Sequence, residues 1–218
     1  MSLSLWWNAD IHILFTCGMS QSLDRIVGFS RKIPYVCPFN TNDSRPMETN
    51  KPIQIPEEKV IEAAQAGMDE FLKVFTDAYW ERIGGELTAE TMPLLTGEQH
   101  VLLGYQIFRD EVLEGGFVQL IQNGYGPYIF ENPFAKAMRL FGMKDFSKLI
   151  YKARKIYDAH KEDLTRDRTD EEFMAMYEQY EAFDPLEEIY IEEEETITAT
   201  LAHYVDEHLE LFAEIVPA

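Results

Sequence analysis

Positive charge is what this chain has least of relative to its size. Across 218 residues it carries 19 Lys and Arg against 39 Asp and Glu, a formal net charge of −20. Direct binding to nucleic acid or to an anionic membrane is therefore excluded as the expected activity, and basic partners are favoured. Cysteine is nearly absent as well. Cys17 and Cys37 both fall in the first 46 residues, too few for a disulfide framework, so a reducing cytoplasmic setting is expected. No run of about 18 apolar residues occurs, which argues against a transmembrane helix.

The usual signatures of catalysis are missing too. Gly124-Tyr125-Gly126 lacks the third glycine of a phosphate loop, and no Lys-Ser or Lys-Thr pair follows it. There is no G-x-S-x-G elbow. His203 and His208 stand five apart, so they face different sides of a helix, unlike a zinc-binding pair four apart. The Glu-x-x-His pattern of a di-iron bundle also fails: the residues three before His100, His160, His203 and His208 are Gly97, Tyr157, Thr200 and Val205. Carboxylates are so numerous that choosing two as a glycosidase pair carries no information. A non-enzyme with no metal and no cofactor is the expectation.

What is present is a folding sequence, 46% hydrophobic and 13% aromatic. Residues 1–46 stand apart, with four Lys/Arg, three Asp/Glu, three prolines after Arg25 and no steady period. No basic region precedes Trp6, Trp7 and Ile11–Phe15, as a secretory signal would require. This segment reads as an atypical extension or a loosely attached arm, with Met47 as the expected start of an acidic helical domain over 47–218.

Beyond it the pattern is helical. Pro56 with Glu57 and Glu58 suits a first turn, and Val60, Ile61, Ala64, Met68, Phe71, Leu72, Phe75 and Tyr79 predict one helix ending at Gly84-Gly85. Thr96 with Gln99 forms a capping box, Asn132-Pro133 opens a helix that Gly142 stops, and Asp145 or Ser147 opens the next. Thr169 with Glu172 is a second capping box. Asp184-Pro185 predicts a short helix, followed by a final one over Glu192–Glu214. No convincing strand pair emerges. The fold class is all-α, a single irregular domain of about six to eight helices.

The stretch Glu111–Gly126 has no equivalent elsewhere. A helix enters it, Gly115-Gly116 breaks that helix with a left-handed residue, and Phe117, Leu120 and Ile121 resume helical spacing. Gln119, Gln122 and Asn123 can tie down backbone groups that the break leaves unpaired. Two readings stand: a buried helix–break–helix corner, or a ligand pocket over Gly115–Asn123 with Gln119 and Asn123 as polar anchors.

Charge is concentrated at one end. Residues 158–218 hold 20 Asp/Glu and three Lys/Arg, a net of −17, and the available cations cluster over Lys136–Lys161. Such a run is either a solvated face or a functional surface. Glu192, Glu193, Glu194 and Glu195 are consecutive, with Asp184, Glu187 and Glu188 upstream and Asp170, Glu171 and Glu172 earlier. Their mutual repulsion costs stability, which favours the functional reading. These ten are the candidate partner-binding residues.

Glu111, Gly115-Gly116-Phe117, Gln119 and Asn123, together with Phe183–Tyr190, resemble the C-terminal domain family of DNA-mimic proteins (DMP), small acidic bacterial proteins largely of unknown function. The resemblance covers about Leu94–Ile215. The family commonly has Asn before the Gly-Gly pair, where this chain has Glu114. It implies an all-helical domain that can dimerise, and acidic residues that occupy the DNA-binding surface of a basic partner such as a transcription factor. The alternatives are an immunity or antitoxin protein neutralising a basic nuclease, or the small-molecule or enzymatic pocket at Gly115–Asn123.

Overall fold

The computed structural model describes residues 51–217, so the expectations for the N-terminal arm, Cys17, Cys37 and Met47 lie outside the described residues. The fold is all-α apart from one short parallel strand pair, in the order β1 (Gln54–Pro56), α1 (Glu57–Ala66), α2 (Met68–Arg82), α3 (Gly97–Gln122), α4 (Phe134–Leu140), α5 (Lys144–Leu164), α6 (Asp170–Gln179), α7 (Asp184–Glu207), α8 (Leu209–Phe212) and β2 (Glu214–Val216). A 3-10 turn at Met92–Leu94 precedes α3, and a π turn at Pro127–Glu131 precedes α4.

The described residues group into two compact units, 51–103 with 202–217, and 104–201. In the first, α2 turns Phe71, Leu72, Phe75 and Tyr79 into the core. The Tyr79 hydroxyl and the Gln99 side-chain amide both donate to the Phe212 carbonyl, at 3.0 and 2.9 Å. The Thr96–Gln99 capping box forms in both directions. β1 pairs in parallel with β2, Gln54 opposite Glu214 and Ile55 opposite Ile215.

The second unit is built around aromatic rings. Phe108 on α3 is fully buried and meets Tyr190, Phe146 and Phe117 edge-on, with centroids 4.9, 5.3 and 5.6 Å away. Phe117 stacks on Phe183 at 5.1 Å. Such pairs add directional preference to area burial, so they specify how α3, α5 and α7 seat together.

The structure differs from the sequence reading in four places. The long first helix is two helices, because Gly67 at φ 153° leaves the helical region. Ile61 and Met68, expected inward, are consequently about half exposed, at 50% and 46%. α5 begins at Lys144, one residue ahead of the expected caps. Asp184–Glu207 is one helix of 24 residues, because nothing between Leu186 and Glu192 breaks it. The chain past Ala213 is the strand β2, whose partner β1 lies 160 residues away in sequence and is invisible to local periodicity.

Two substitutions test the packing at the middle of α3. Phe117→Ala removes a fully buried ring and should cost about 3–5 kcal/mol, lowering the melting temperature by roughly 6–20 °C. Gly116→Ala should also destabilise, by about 1–3 kcal/mol, because φ 69° and ψ −171° is a conformation open essentially to glycine alone. Thermal unfolding followed by circular dichroism checks both, and unchanged melting curves would contradict this account of the corner.

Candidate acidic interaction surface

The geometry of the acidic third begins at the break in α3. Gly115 and Gly116 leave the helical region, so the Phe117 N–H loses its carbonyl partner one turn back. That N–H donates instead to Glu187 Oε1 on α7, at 2.7 Å. The Gly115 carbonyl accepts from the Tyr177 hydroxyl on α6, at 3.0 Å. The amides expected to serve the broken backbone do something else. Asn123 Nδ2 and Gln119 Nε2 both donate to Glu111 Oε2, at 2.8 and 3.1 Å, and Gln119 also reaches Glu114 at 3.1 Å. Glu111 thereby staples the helix before the break to the helix after it. A Cβ on Gly116 would overlap the Glu187 carboxylate, and one on Gly115 the Gln119 side chain, so both positions are filled to the backbone.

The corner reading therefore accounts for Glu111, Gly115, Gly116, Phe117, Gln119 and Asn123. An open groove of about 420 Å3 does exist, but it is lined by Lys51, Ile53, Leu94, Gln99 and Leu211 and takes in none of Gly115–Asn123. His203 is exposed, while His208 Nδ1–H donates to the Tyr204 carbonyl at 2.8 Å and its ring stacks on Tyr204.

The ten acidic candidates divide by what they touch. Glu187 is half-buried against the α3 break, and burial raises its pKa above the ordinary carboxylate range despite the hydrogen bond from Phe117. Glu194 is turned inward as well. It pairs with Arg109 on α3 and accepts from the Thr198 hydroxyl at 2.7 Å, and its side chain is 12% exposed. At the start of α6, Glu172 closes the capping box with Thr169 and lies 3.7 Å from Arg166, while Glu171 takes a long hydrogen bond from Thr169. Asp170 is exposed beside them in the first turn, where the helix dipole favours negative charge.

The remaining five, Asp184, Glu188, Glu192, Glu193 and Glu195, are exposed and have no cation in ion-pair reach among the described residues. Helical periodicity orders them further. Asp184, Glu188, Glu192 and Glu195 follow at intervals of four, four and three, so they lie on one face of α7 along about 16 Å, whereas Glu193 projects to another side. Of the two arginines near the start of α6, Arg166 is exposed and Arg168 is tucked in. Arg168 is 5% exposed and bonded to Asp163 at 2.6 Å, and the Tyr180 hydroxyl followed by Arg168 holds that carboxylate below its ordinary range.

Sequence reasoning had no access to Arg109 and Tyr177 as partners, since they lie 85 and 62 residues from the groups they contact. No helix among the described residues is long and apolar enough to cross a membrane.

Glu187 offers a test with a sign. Its raised folded pKa means that its contribution to stability is fully present below the ordinary glutamate pKa and is lost as pH rises through the folded value. Glu187→Gln keeps an oxygen for the Phe117 N–H and removes the charge, so at neutral pH it should be at least as stable as the wild type. That advantage should shrink on acidification toward the ordinary value of 4.5. Glu187→Ala strands the Phe117 N–H and should cost about 1–3 kcal/mol at every pH. Denaturant titrations across the acid range separate the two. A Gln variant as damaged as the Ala variant would show that the charge, not the acceptor, holds the break.

Comparisons with known proteins match the part of the chain that carries this surface. DNA mimic protein DMP19 of Neisseria meningitidis serogroup B (strain ATCC BAA-335 / MC58) is 33% identical over 127 residues, which span 58% of this chain and 77% of that protein. The family described as DMP19-like protein matches residues 93–208, more than half of the chain, from the turn before α3 through the end of α7. The helix break, the α6 cap and the acidic face of α7 all fall inside that span, and this chain belongs to the DMP19-like family.

Proposed function

We propose that this protein is a non-enzymatic DNA mimic that works in the cytoplasm, its acidic face occupying the nucleic-acid-binding surface of a basic DNA-binding protein such as a transcription factor. The observation that carries the reading is the row Asp184, Glu188, Glu192 and Glu195, exposed on one face of a rigid helix with no counter-ion among the described residues. Like charges at i, i+4 each cost a few tenths of a kcal/mol on a helix, about 0.2–0.5, so the row is a net liability to folding that a cationic partner would relieve. Asp170, Glu171 and Glu172 add negative charge at the start of α6, Glu193 adds it on another side of α7, and Glu187 and Glu194 orient the row from inside. The name of the family relative, a DNA mimic, supports the same reading.

The test removes charge from the outward row alone. Glu188→Gln, Glu192→Gln and Glu195→Gln together preserve size and helix propensity and leave Glu194 with Arg109. Against a partner recovered from host lysate, the triple variant should bind about tenfold or more weakly with an unchanged melting curve. The partner's own DNA should compete for the wild-type protein, and binding should fall steeply with salt as the Debye length drops from ~8 Å at 0.15 M to ~3 Å at 1 M. A partner that survives both about 1 M salt and the triple change would refute mimicry. A nuclease as the recovered partner would point instead to an immunity or antitoxin role.

A further inference from the structure

The acidic helices also expose groups that water does not favour. Among the described residues the two most exposed large apolar side chains are Met174 on α6 and Ile191 on α7, at 64% and 58%. Both stand among carboxylates. Met174 follows Asp170 by four residues and precedes Glu178 by four, and all three are exposed. Ile191 follows Glu188 by three and precedes Glu195 by four, so it lies beside the middle of the outward row on α7. Isolated exposed apolar residues are common on protein surfaces. This one stands within a row of four like charges that has no counter-ion among the described residues. It gives the helix little, since most of its side chain is in water and isoleucine forms helix less well than glutamate or leucine. An apolar spot beside a charged margin is the anatomy of an interface, in which a desolvated centre is surrounded by a polar rim.

We infer that Ile191 is the apolar anchor of the acidic face, and that the partner it selects carries an aliphatic side chain flanked by lysine or arginine on its DNA-reading surface. On the DNA-mimic reading, on which this rests, the carboxylate row alone attracts any basic protein. Phosphate contacts likewise position a protein on DNA without carrying sequence information directly. Sequence is read at the base edges. In the major groove the C5-methyl of thymine is the apolar group among them, and apolar side chains meet it. The row of Asp184, Glu188, Glu192 and Glu195 stands where the phosphates would, and Ile191 stands where the methyl would. A partner built to meet both on DNA finds both on one side of α7. When an aliphatic side chain covers Ile191, water leaves the space between the neighbouring carboxylates and the partner's cations. Their attraction then acts at a lower effective dielectric and is stronger. A protein that grips phosphates alone gains nothing from Ile191, so the residue selects among basic partners.

Two synthetic helical peptides rich in lysine and arginine provide the test, equal in length and charge and differing only in a central leucine or serine. Their affinities for the full chain are measured by fluorescence anisotropy at about 0.15 M salt. The leucine peptide should bind the wild type about fivefold or more tightly than the serine peptide. Ile191→Ser should abolish that preference and leave the serine peptide's affinity within about twofold. Ile61→Ser removes a comparably exposed isoleucine, at 50%, from α1 and should keep the preference. Neither side chain is buried, so both variants should melt as the wild type does. The absence of any leucine preference in the wild type overturns the inference. So does a preference that survives Ile191→Ser, or one lost equally in Ile61→Ser. Missing preference with partner capture still sensitive to the triple glutamine change would sink the anchor alone. A preference that depends on Ile191, with no competition from the partner's DNA, would sink mimicry and leave the apolar contact standing.

Discussion

The unit holding the acidic face depends on two backbone groups, the Phe117 N–H and the Gly115 carbonyl, that a continuous α3 would have satisfied within itself. A buried unpaired N–H costs about as much as a lost hydrogen bond, 1–3 kcal/mol, so the break is tenable only where other elements supply the partners. Here α7 supplies Glu187 and α6 supplies Tyr177. The break thus docks both acidic helices as a condition of its own stability. Phe117, aimed by it, closes the ring cluster against Phe183 and Phe108.

Glu187 has a second consequence through periodicity. Glu194 lies seven residues on, two turns further along the same side of α7, and also points inward, to Arg109. Two inward glutamates two turns apart determine the rotation of the helix about its axis. Once they are placed, Asp184, Glu188, Glu192 and Glu195 have nowhere to go but outward. Buried charge here does not act chiefly as a source of stability, for a desolvated carboxylate is costly even when paired. It orients the face that remains in water.

How much of this was readable in advance follows from distance along the chain. The two capping boxes, the positive φ of Gly116 and the helical class were all legible, because each depends on residues within a few positions of one another. Gly67 was missed because an isolated glycine in an apolar stripe is tolerated often enough to be passed over. The continuity of α7 was missed because Asp184-Pro185 and the glutamate run each look like a helix start, and local signals cannot say that the second is only the middle of the first. The acidic third was recognised as charged but not sorted. Which of ten carboxylates face inward is decided by Phe117 and Arg109, 70 and 85 residues away. The run Glu192–Glu195, uniform as text, contains one structural residue, two exposed ones on one face and a third exposed on another side.

That sorting limits what mimicry can mean physically. Duplex DNA presents one charge per ~1.7 Å of axis, whereas the α7 row carries four over about 16 Å, one per roughly 5 Å. A single row therefore reaches only about a third of the axial density of the duplex. Closing the gap takes the first turn of α6, and it takes cations that do not neutralise the face. The inward placement of Arg109 meets the second requirement along the α7 row, since its charge is spent on Glu194, whose side chain is 12% exposed, whereas at the first turn of α6 the exposed Arg166 still faces Glu172. A partner reading this protein as nucleic acid would meet carboxylates spaced by helical turns and no competing guanidinium on the α7 row. On the mimicry reading, keeping Arg109 off the α7 row matters as much as the number of its acids.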